Sequence, residues 1–402
     1  MRVGLVCPYS LTLPGGVQAQ VLGLARVLRA RGVEARVLGP CDGPPPEAFV
    51  TPLGNSIPTA ANGSVAPLAP DPAAALRTLR ALREEGFDVL HVHEPLAPGP
   101  SLTTVLSHPA PIVATFHAAG DSSSYKWLNP LVRATAERID IRCAVSADAR
   151  ALASRYLGGT YRMLFNGVEV ERYHSVEPIK AEGPTIFFCS RHEPRKGLEV
   201  LLDAMTRLPS DVRLWVASDG PQTAELTVAH AGDPRVQWLG RLNEAEKVAR
   251  WRGASAFAAP SLHGESFGVI LLESMAAHTP IVASDIDGYR KVARADIDAL
   301  LVPPGDADAL AAALLRVLTE PALAARLCAA GDERAQEFSM EALAERYEAI
   351  YVEAIERGPR RLSERLDGMS DVVAGSASSL AGTVAAGVAG LANRWRPFSR
   401  KV

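Results

Sequence analysis

The stretch PTIFFCSRHEPRKGLEVLLDAM, residues 184–205, decides the fold. Its first six residues form an uninterrupted apolar run, which suits a strand buried on both faces of a parallel sheet. A helix is expected over Leu198–Arg207. Between them lies Ser190–Gly197, a loop that brings Arg191, Arg195 and Lys196 to the start of that helix. Cations at this end oppose the helix dipole. Three of them together call for an anion, and a helix start is a place where anions bind.

The same strand–loop–helix unit recurs on both sides of this stretch. Strands are expected in the first half at Val3–Cys7, Ala35–Leu38, Val89–Val92, Ile112–Phe116 and Cys143–Val145. In the second half they fall at Thr185–Ser190, Arg213–Ala217, Val236–Leu239, Ala256–Ala259, Ile281–Ala283 and Ala299–Val302. Helices are expected at Val17–Arg31, Ala73–Glu85, Glu244–Arg252, Phe267–Ala277 and Ala307–Leu318. Alternation of this kind predicts parallel sheets with helices on both faces. The strands are about twice as many as one doubly wound sheet needs, so two such domains joined near Phe165–Gly167 are the economical reading. Ser339–Ile355 reads as an amphipathic helix, capped by Ser339, with Leu343, Tyr347, Ile350 and Tyr351 on its apolar side.

Bulk properties narrow the function. The chain has 402 residues, 48% apolar and 22% charged, an ordinary globular balance. A formal net charge of −3 argues against a nucleic-acid partner. The five cysteines, Cys7, Cys41, Cys143, Cys189 and Cys328, are widely spaced without a CxxC pair, which fits reduced thiols in a cytoplasmic protein. The N-terminus does not read as a signal peptide, and no run is long and apolar enough for a membrane-spanning helix.

A second run, Gly264-Glu265-Ser266-Phe267-Gly268-Val269-Ile270-Leu271-Leu272-Glu273-Ser274-Met275-Ala276, places two carboxylates eight positions apart at and beyond a helix start. With the Arg191–Gly197 loop it resembles the retaining glycosyltransferases of the GT-B fold, whose E-x7-E signature it matches. Cys7–Ser10, Pro14–Gln18, Asn62–Val65, His91–Pro95 and Ala114–His117 are similar to phosphatidylinositol mannosyltransferases of the actinobacterial type. The resemblance covers residues 1–357.

It implies an α/β fold of two Rossmann-like doubly wound domains facing a central cleft. Residues 1–166 would form the acceptor domain and 167–339 the nucleotide-sugar donor domain. A helix over 340–357 would return to the first domain. The tail over 358–402 is open to two readings, disordered or membrane-interfacial; its end, Asn393–Lys401, interleaves aromatics with cations. The implied activity is transfer of a hexose, mannose from GDP-mannose, to a lipid-linked acceptor such as phosphatidylinositol. The protein would be a monomer, peripheral on the inner face of the cell membrane. Transfer from another nucleotide-sugar to a soluble acceptor, and epimerisation of a nucleotide-sugar, are the rival readings.

The chemistry suits those residues. Arg191 can fork onto phosphate oxygens, and Lys196 adds a point charge where a diphosphate leaves. Arg195 is a third donor-binding candidate. The resemblance places Glu265 at the sugar hydroxyls and Glu273 at the ribose, with Ser266, Phe267 and Gly268 offering N–H groups to the diphosphate. Gly15 and Gly16, between the first strand and the first helix, allow backbone N–H groups to approach the donor. The resemblance gives His117 a catalytic place near the donor sugar, its role open between orientation and charge stabilisation. Tyr9 and Gln18 match acceptor-pocket residues. No cofactor and no divalent metal are expected, since the three cations supply the charge. His91, His93 and Glu94 lack a further metal-ligand pattern, and Asp285-Ile286-Asp287 is read as a helix cap rather than a metal motif. Arg77, Arg80 and Arg83, beside Leu76, Leu79 and Leu82, form either a membrane-facing stripe or an ordinary amphipathic surface.

Overall fold

The computed structural model describes residues 1–61, 64–118, 129–265 and 267–358. The chain divides into two compact units. The first comprises Met1–Gln18, Val33–Arg162 and the chain from Ala349; the second comprises Ala19–Gly32 and Met163–Glu348.

The first sheet contains β1 (Arg2–Val6), β2 (Glu34–Gly39) and β3 (Val50–Pro52). An antiparallel hairpin of β4 (Ile57–Ala61) and β5 (Ser64–Leu68) stands apart from it. The sheet continues with β6 (Val89–His93), β7 (Ile112–Phe116), β8 (Ile141–Ala144) and β9 (Arg162–Met163). Its order is β3-β2-β1-β6-β7-β8-β9, and β1 pairs in parallel with both β2 and β6. The chain thus reverses its direction of travel across the sheet between β1 and β6. That is the place where ligands bind in doubly wound sheets, at the carboxyl ends of the strands.

The second sheet repeats the plan. β10 (Thr185–Cys189), β11 (Arg213–Ala217), β12 (Val236–Gly240), β13 (Ala256–Ala259), β14 (Ile281–Ser284) and β15 (Leu300–Val302) lie in the order β12-β11-β10-β13-β14-β15, every pair parallel. Here the reversal falls between β10 and β13. β10, one residue shorter than the expected Thr185–Ser190, is buried except at its last residue, and the helix Leu198–Met205 covers one face. Leu198, Leu201, Leu202 and Met205 pack on Ile186, Phe188 and Leu214 in one core. Truncating any of these leucines to alanine would cost about 2–5 kcal/mol.

Several elements differ from expectation for identifiable reasons. The hairpin β4–β5 was not anticipated; Pro58 and Pro67 interrupt its pattern, and both sit in one cross-strand pair. The helix expected from Phe267 starts at Val269, because Gly268 adopts a left-handed φ of 85° that ends the preceding loop. Asp285 does not cap the short helix Asp287–Arg290. Ile286 stands at the cap, and the Asp285 carboxylate instead takes a forked contact from Arg290, including Nη2 at 2.6 Å. Ser339 caps the helix Met340–Arg357 as expected, accepting from the Ala342 N–H at 3.2 Å, and Leu343, Tyr347, Ile350 and Tyr351 are buried.

Residues 1–166 do not group as one block. From Ala19 the first helix, Gly16–Ala30, belongs to the second unit. The Gln20 amide both donates to the Gly167 carbonyl and accepts from the Gly167 N–H, each at 2.8 Å. Arg26 forks onto Glu169 through Nε at 2.7 Å and Nη2 at 2.6 Å. These bonds tie the helix to the segment after β9. The return also falls inside a helix: Met340–Arg357 passes from the second unit to the first between Glu348 and Ala349.

Burial pushes the Glu169 carboxyl up, but the Arg26 fork outweighs it and holds the group below its ordinary value. A depressed folded pKa stabilises above the unfolded value of about 4.3 and ceases to do so as pH falls through the folded value. Glu169→Gln is therefore expected to lower the melting temperature at neutral pH, with a loss of roughly 1–3 kcal/mol. The wild type and the variant should converge in acid. A melting difference unchanged from neutral pH to well below the carboxylate range would contradict this.

Candidate active site

Parallel pairing of β10 with β13 makes the loops after them leave from the same edge of the second sheet. The first loop carries Arg191–Lys196, with a single 3-10 turn at Pro194–Lys196. The second runs from Pro260 to Glu265. They press together at Gly197, whose φ of 69° is left-handed. A Cβ there would stand 2.0 Å from the Pro260 carbonyl oxygen, so only glycine fits. The Leu262 N–H donates to the Arg195 carbonyl at 2.7 Å, adding a rung between the loops.

This contact assembles a chain of alternating charge. Lys196 Nζ pairs with Glu265 Oε1, and Arg195 Nη1 lies 3.7 Å from the same oxygen. Ser261 Oγ also donates to it at 3.0 Å, and Ser261 in turn meets the Tyr289 hydroxyl at 2.9 Å. Glu193 bridges the arginines: Oε2 takes Arg195 Nε at 2.9 Å, and Oε1 lies 3.2 Å from Arg191 Nη1. The Lys196 and Glu265 side chains are 14% and 13% exposed, whereas Arg191 is 49% exposed. The loop is fixed at His192, which is 1% exposed and bonds Thr223 Oγ1 at 2.8 Å and the Ala217 carbonyl at 3.3 Å.

Glu273 belongs to a different cluster. It sits one turn inside the helix Val269–Ala276, rather than two as the longer expected helix would have it. The Tyr173 hydroxyl donates to Glu273 Oε1 at 3.0 Å, and Lys247 Nζ lies 3.3 Å from the same oxygen and 3.1 Å from Glu244. An acid in the apolar run VILLESMAA would be costly if unpaired; it is paired. Burial pushes the Lys247 ammonium down, yet Glu273 and Glu244 outweigh it and raise its pKa above the ordinary value. Phe267 is buried against the Phe338 ring, centroids 5.7 Å apart. Ser266 lies outside the described residues, as do Asn62 and Gly63.

In the first unit, the carboxyl ends of β1, β6 and β7 gather Tyr9, His93, Glu94 and His117. His91 and His93 share a face of β6, ring centroids 4.2 Å apart. His91 meets Tyr351 OH at 2.7 Å and Thr115 Oγ1 at 2.8 Å; His93 Nδ1 meets His117 Nε2 at 2.9 Å. Burial holds both strand histidines below the ordinary imidazole value, His91 at about 3. Glu94 Oε1 accepts the backbone N–H groups of His117 and Ala118 at 2.7 and 2.6 Å. Its own φ of 44° is left-handed, a conformation that costs a non-glycine residue of order 1 kcal/mol or more. Burial, and secondly the nearby Glu94, push the Tyr9 phenol up. Gln18 is buried and reaches the Ser10 carbonyl at 3.4 Å. The helix begins at Gly16, around which a Cβ would meet nothing within 4 Å, while one on Gly15 would press on the Gln18 amide. Among the described residues no three His, Cys, Asp or Glu side chains are grouped to hold a metal ion.

The structure thus brings Arg191, Arg195, Lys196 and Glu265 together and sets Glu273 in a neighbouring pair. Glu193, Ser261, Tyr289, Tyr173 and Lys247 were missed from sequence. Glu193 had a legible signal, an acid between two loop arginines. Ser261 lies four positions before Glu265, but no motif marks it; Tyr289, Tyr173 and Lys247 act across long sequence separations and had no signal.

Gly197→Ala is expected to force the two loops apart, because its Cβ has no room and its φ is unfavourable. It should destabilise by roughly 1–3 kcal/mol. It should also weaken donor binding more than it changes acceptor binding. Wild-type donor KM in this variant would show that the loop contact is dispensable.

Comparison with known proteins agrees with this layout. A family model described as Glycosyl transferases group 1 matches residues 183–320, and one described as Glycosyltransferase Family 4 matches residues 14–172. Among solved structures, a sucrose-phosphate synthase from Thermosynechococcus elongatus superposes with a TM-score of 0.68 at 22% identity, covering 89% of this chain and 99% of that one. Anabaena HepE in complex with UDP-glucose gives a TM-score of 0.66 at 18% identity, over 89% and 100%. These establish the two-domain glycosyltransferase fold. The phosphatidyl-myo-inositol mannosyltransferase of Mycobacterium leprae is 40% identical over 361 residues, 87% of this chain and 96% of that protein. The enzyme of that name from Propionibacterium freudenreichii is 35% identical over 343 residues, 80% and 87%. With a site loop, an E-x7-E pair and a fold of this kind, and identity extending over nearly the whole length of such relatives, the chain is a glycosyltransferase that belongs to the phosphatidyl-myo-inositol mannosyltransferase family.

Proposed function

We propose that this enzyme moves mannose from GDP-mannose to phosphatidylinositol, with retention at the anomeric carbon, while bound peripherally at the inner face of the membrane. The observation that carries the donor half is the Arg191–Glu193–Arg195–Glu265–Lys196 network at the carboxyl ends of β10 and β13. Departure of a nucleoside diphosphate concentrates negative charge on its oxygens. Fixed cations beside it lower that barrier without reorganising at the moment of reaction. Arg191, whose side chain is half exposed, can fork onto phosphate oxygens. Glu265 keeps Lys196 placed and serves the sugar hydroxyls, and Glu273 serves the ribose. The cations supply the charge that a divalent metal supplies in other transferases.

The membrane half rests on the helix Pro72–Glu85. Its buried side is Ala74, Thr78, Ala81 and Leu82. Leu76 and Leu79 remain 67% and 43% exposed, next to Arg80 and Arg83. Exposed leucines flanked by cations suit an anionic bilayer surface. Arg77 is not part of this stripe, because its Nε donates to the Leu53 carbonyl at 2.7 Å. No helix among the described residues is long and apolar enough to cross a membrane.

A donor screen against phosphatidylinositol vesicles, read by mass spectrometry, is expected to yield a mannosylated lipid and GDP. An epimerised nucleotide-sugar with no lipid product would overturn the reading. Lys196→Ala is expected to lose roughly 10²-fold or more in turnover, as for removal of one electrostatic stabiliser. Turnover at the wild-type rate in a folded Lys196→Ala protein would remove Lys196 from the reaction.

A further inference from the structure

At the end of β6, two consecutive residues converge on one target. His93 holds the His117 ring, Nδ1 to Nε2 at 2.9 Å, with the rings stacked and their centroids 5.2 Å apart. Glu94 holds the backbone beneath that ring, accepting the N–H groups of His117 and Ala118 at 2.7 and 2.6 Å. Both are buried, His93 to 2% exposure and Glu94 to 7%.

The two strand histidines differ in a telling way. His91 satisfies both ring nitrogens, on Tyr351 and Thr115. His93 Nε2 is buried without a hydrogen-bond partner among the described residues. A histidine that only filled the core would be poorly chosen there, since an orphaned buried nitrogen is costly. Among the described residues, the His93 ring hydrogen-bonds only to His117. Glu94 likewise accepts the cost of a buried carboxylate and of left-handed backbone at φ 44°, and spends Oε1 on two backbone donors.

We propose that His93 and Glu94 are positioning residues for His117, holding the plane of its ring, coupling its tautomer to that of His93, and fixing the path of the chain that carries it. The proposal rests on the reading of His117 as a residue of the transfer reaction. A neutral imidazole has one donor and one acceptor nitrogen. One of His93 Nδ1 and His117 Nε2 donates and the other accepts, so the two tautomers are coupled and the role left to His117 Nδ1 follows the proton position in His93. Burial keeps the His93 ring neutral, so it directs a proton position rather than adding charge. His91, tilted against His93 with ring centroids 4.2 Å apart and anchored at both nitrogens, restrains the His93 ring from turning.

The test is mannosyl transfer from GDP-mannose to phosphatidylinositol vesicles by the full chain, with kcat and donor KM measured separately. His93→Ala and Glu94→Ala are expected to lower kcat by about 10-fold or more while donor KM moves little, as for a misplaced reacting group. His93→Asn, whose amide can meet His117 Nε2, should recover part of the loss. Glu94→Gln, whose carbonyl oxygen still accepts both N–H groups, should recover most of it. His93→Ala combined with His117→Ala should be no slower than His117→Ala alone, because the first acts only through the second. If His93→Ala fails to fold by circular dichroism, His93→Phe replaces it, keeping the ring and losing the bond; it should be as slow as expected for His93→Ala. Unchanged kcat in the His93 and Glu94 variants beside an impaired His117→Ala would overturn the proposal. So would a His93 deficit that persists on the His117→Ala background, or a Glu94→Gln as slow as Glu94→Ala. Wild-type kcat in His117→Ala would instead remove the reading of His117 itself.

Discussion

Parallel pairing at the point where each sheet reverses is the constraint on which the site depends. Parallel neighbours send their following loops out of the same edge. In the second sheet this sets the loop after β10 against the loop after β13, close enough that Gly197 has no room for a Cβ. Lys196 and Glu265 meet for that reason, although 69 positions separate them. In the first sheet the same rule lines up Tyr9 after β1, His93 and Glu94 at the end of β6, and His117 after β7. The chemistry is carried by loops, but the strand order decides which loops are neighbours.

Once placed there, buried charge has to be answered. Lys196 and Glu265 answer each other, Lys247 answers Glu273 and Glu244, and Glu94 is answered by two backbone N–H groups. Removing one member of such a set is more damaging than the net worth of the pair, because the other stays buried and unpaired. The same arrangement keeps these side chains in one geometry, which is what electrostatic catalysis requires of groups that must not reorganise. Arg191 is the most exposed of these cations: its side chain is half exposed, and Nη1 lies 3.2 Å from Glu193.

Much of this was legible in the sequence, for definite reasons. PTIFFC reads as a buried strand because no charged residue interrupts it, and the three cations after it are close enough in sequence to be gathered on one loop. Leu343, Tyr347, Ile350 and Tyr351 reveal the last helix through their spacing. Elements whose patterns are broken were not legible: prolines obscure the β4–β5 hairpin, and Gly268 delays a helix that hydropathy starts at Phe267. Partnerships across distance were illegible in principle. Nothing in the local sequence says that Tyr173 will find Glu273, or that Tyr289 will meet Ser261 beside Glu265. Nor does it say that Gln20 and Arg26 will bond to Gly167 and Glu169 over more than a hundred residues.

The histidines of the first unit show how one sequence pattern divides into two physical roles. His91 and His93 are two apart on one strand and equally buried, and both lie below the ordinary imidazole range. Neither can carry charge near neutral pH, so neither serves as an electrostatic group there. What remains to a neutral buried imidazole is direction: one nitrogen gives a proton and the other receives one. His91 spends that direction on Tyr351 and Thr115, joining the last helix to β7. His93 spends it on His117, at the carboxyl edge where the sheet order puts ligands. The difference between a structural and a functional histidine here is therefore one of partner and place, since burial and charge state are the same for both.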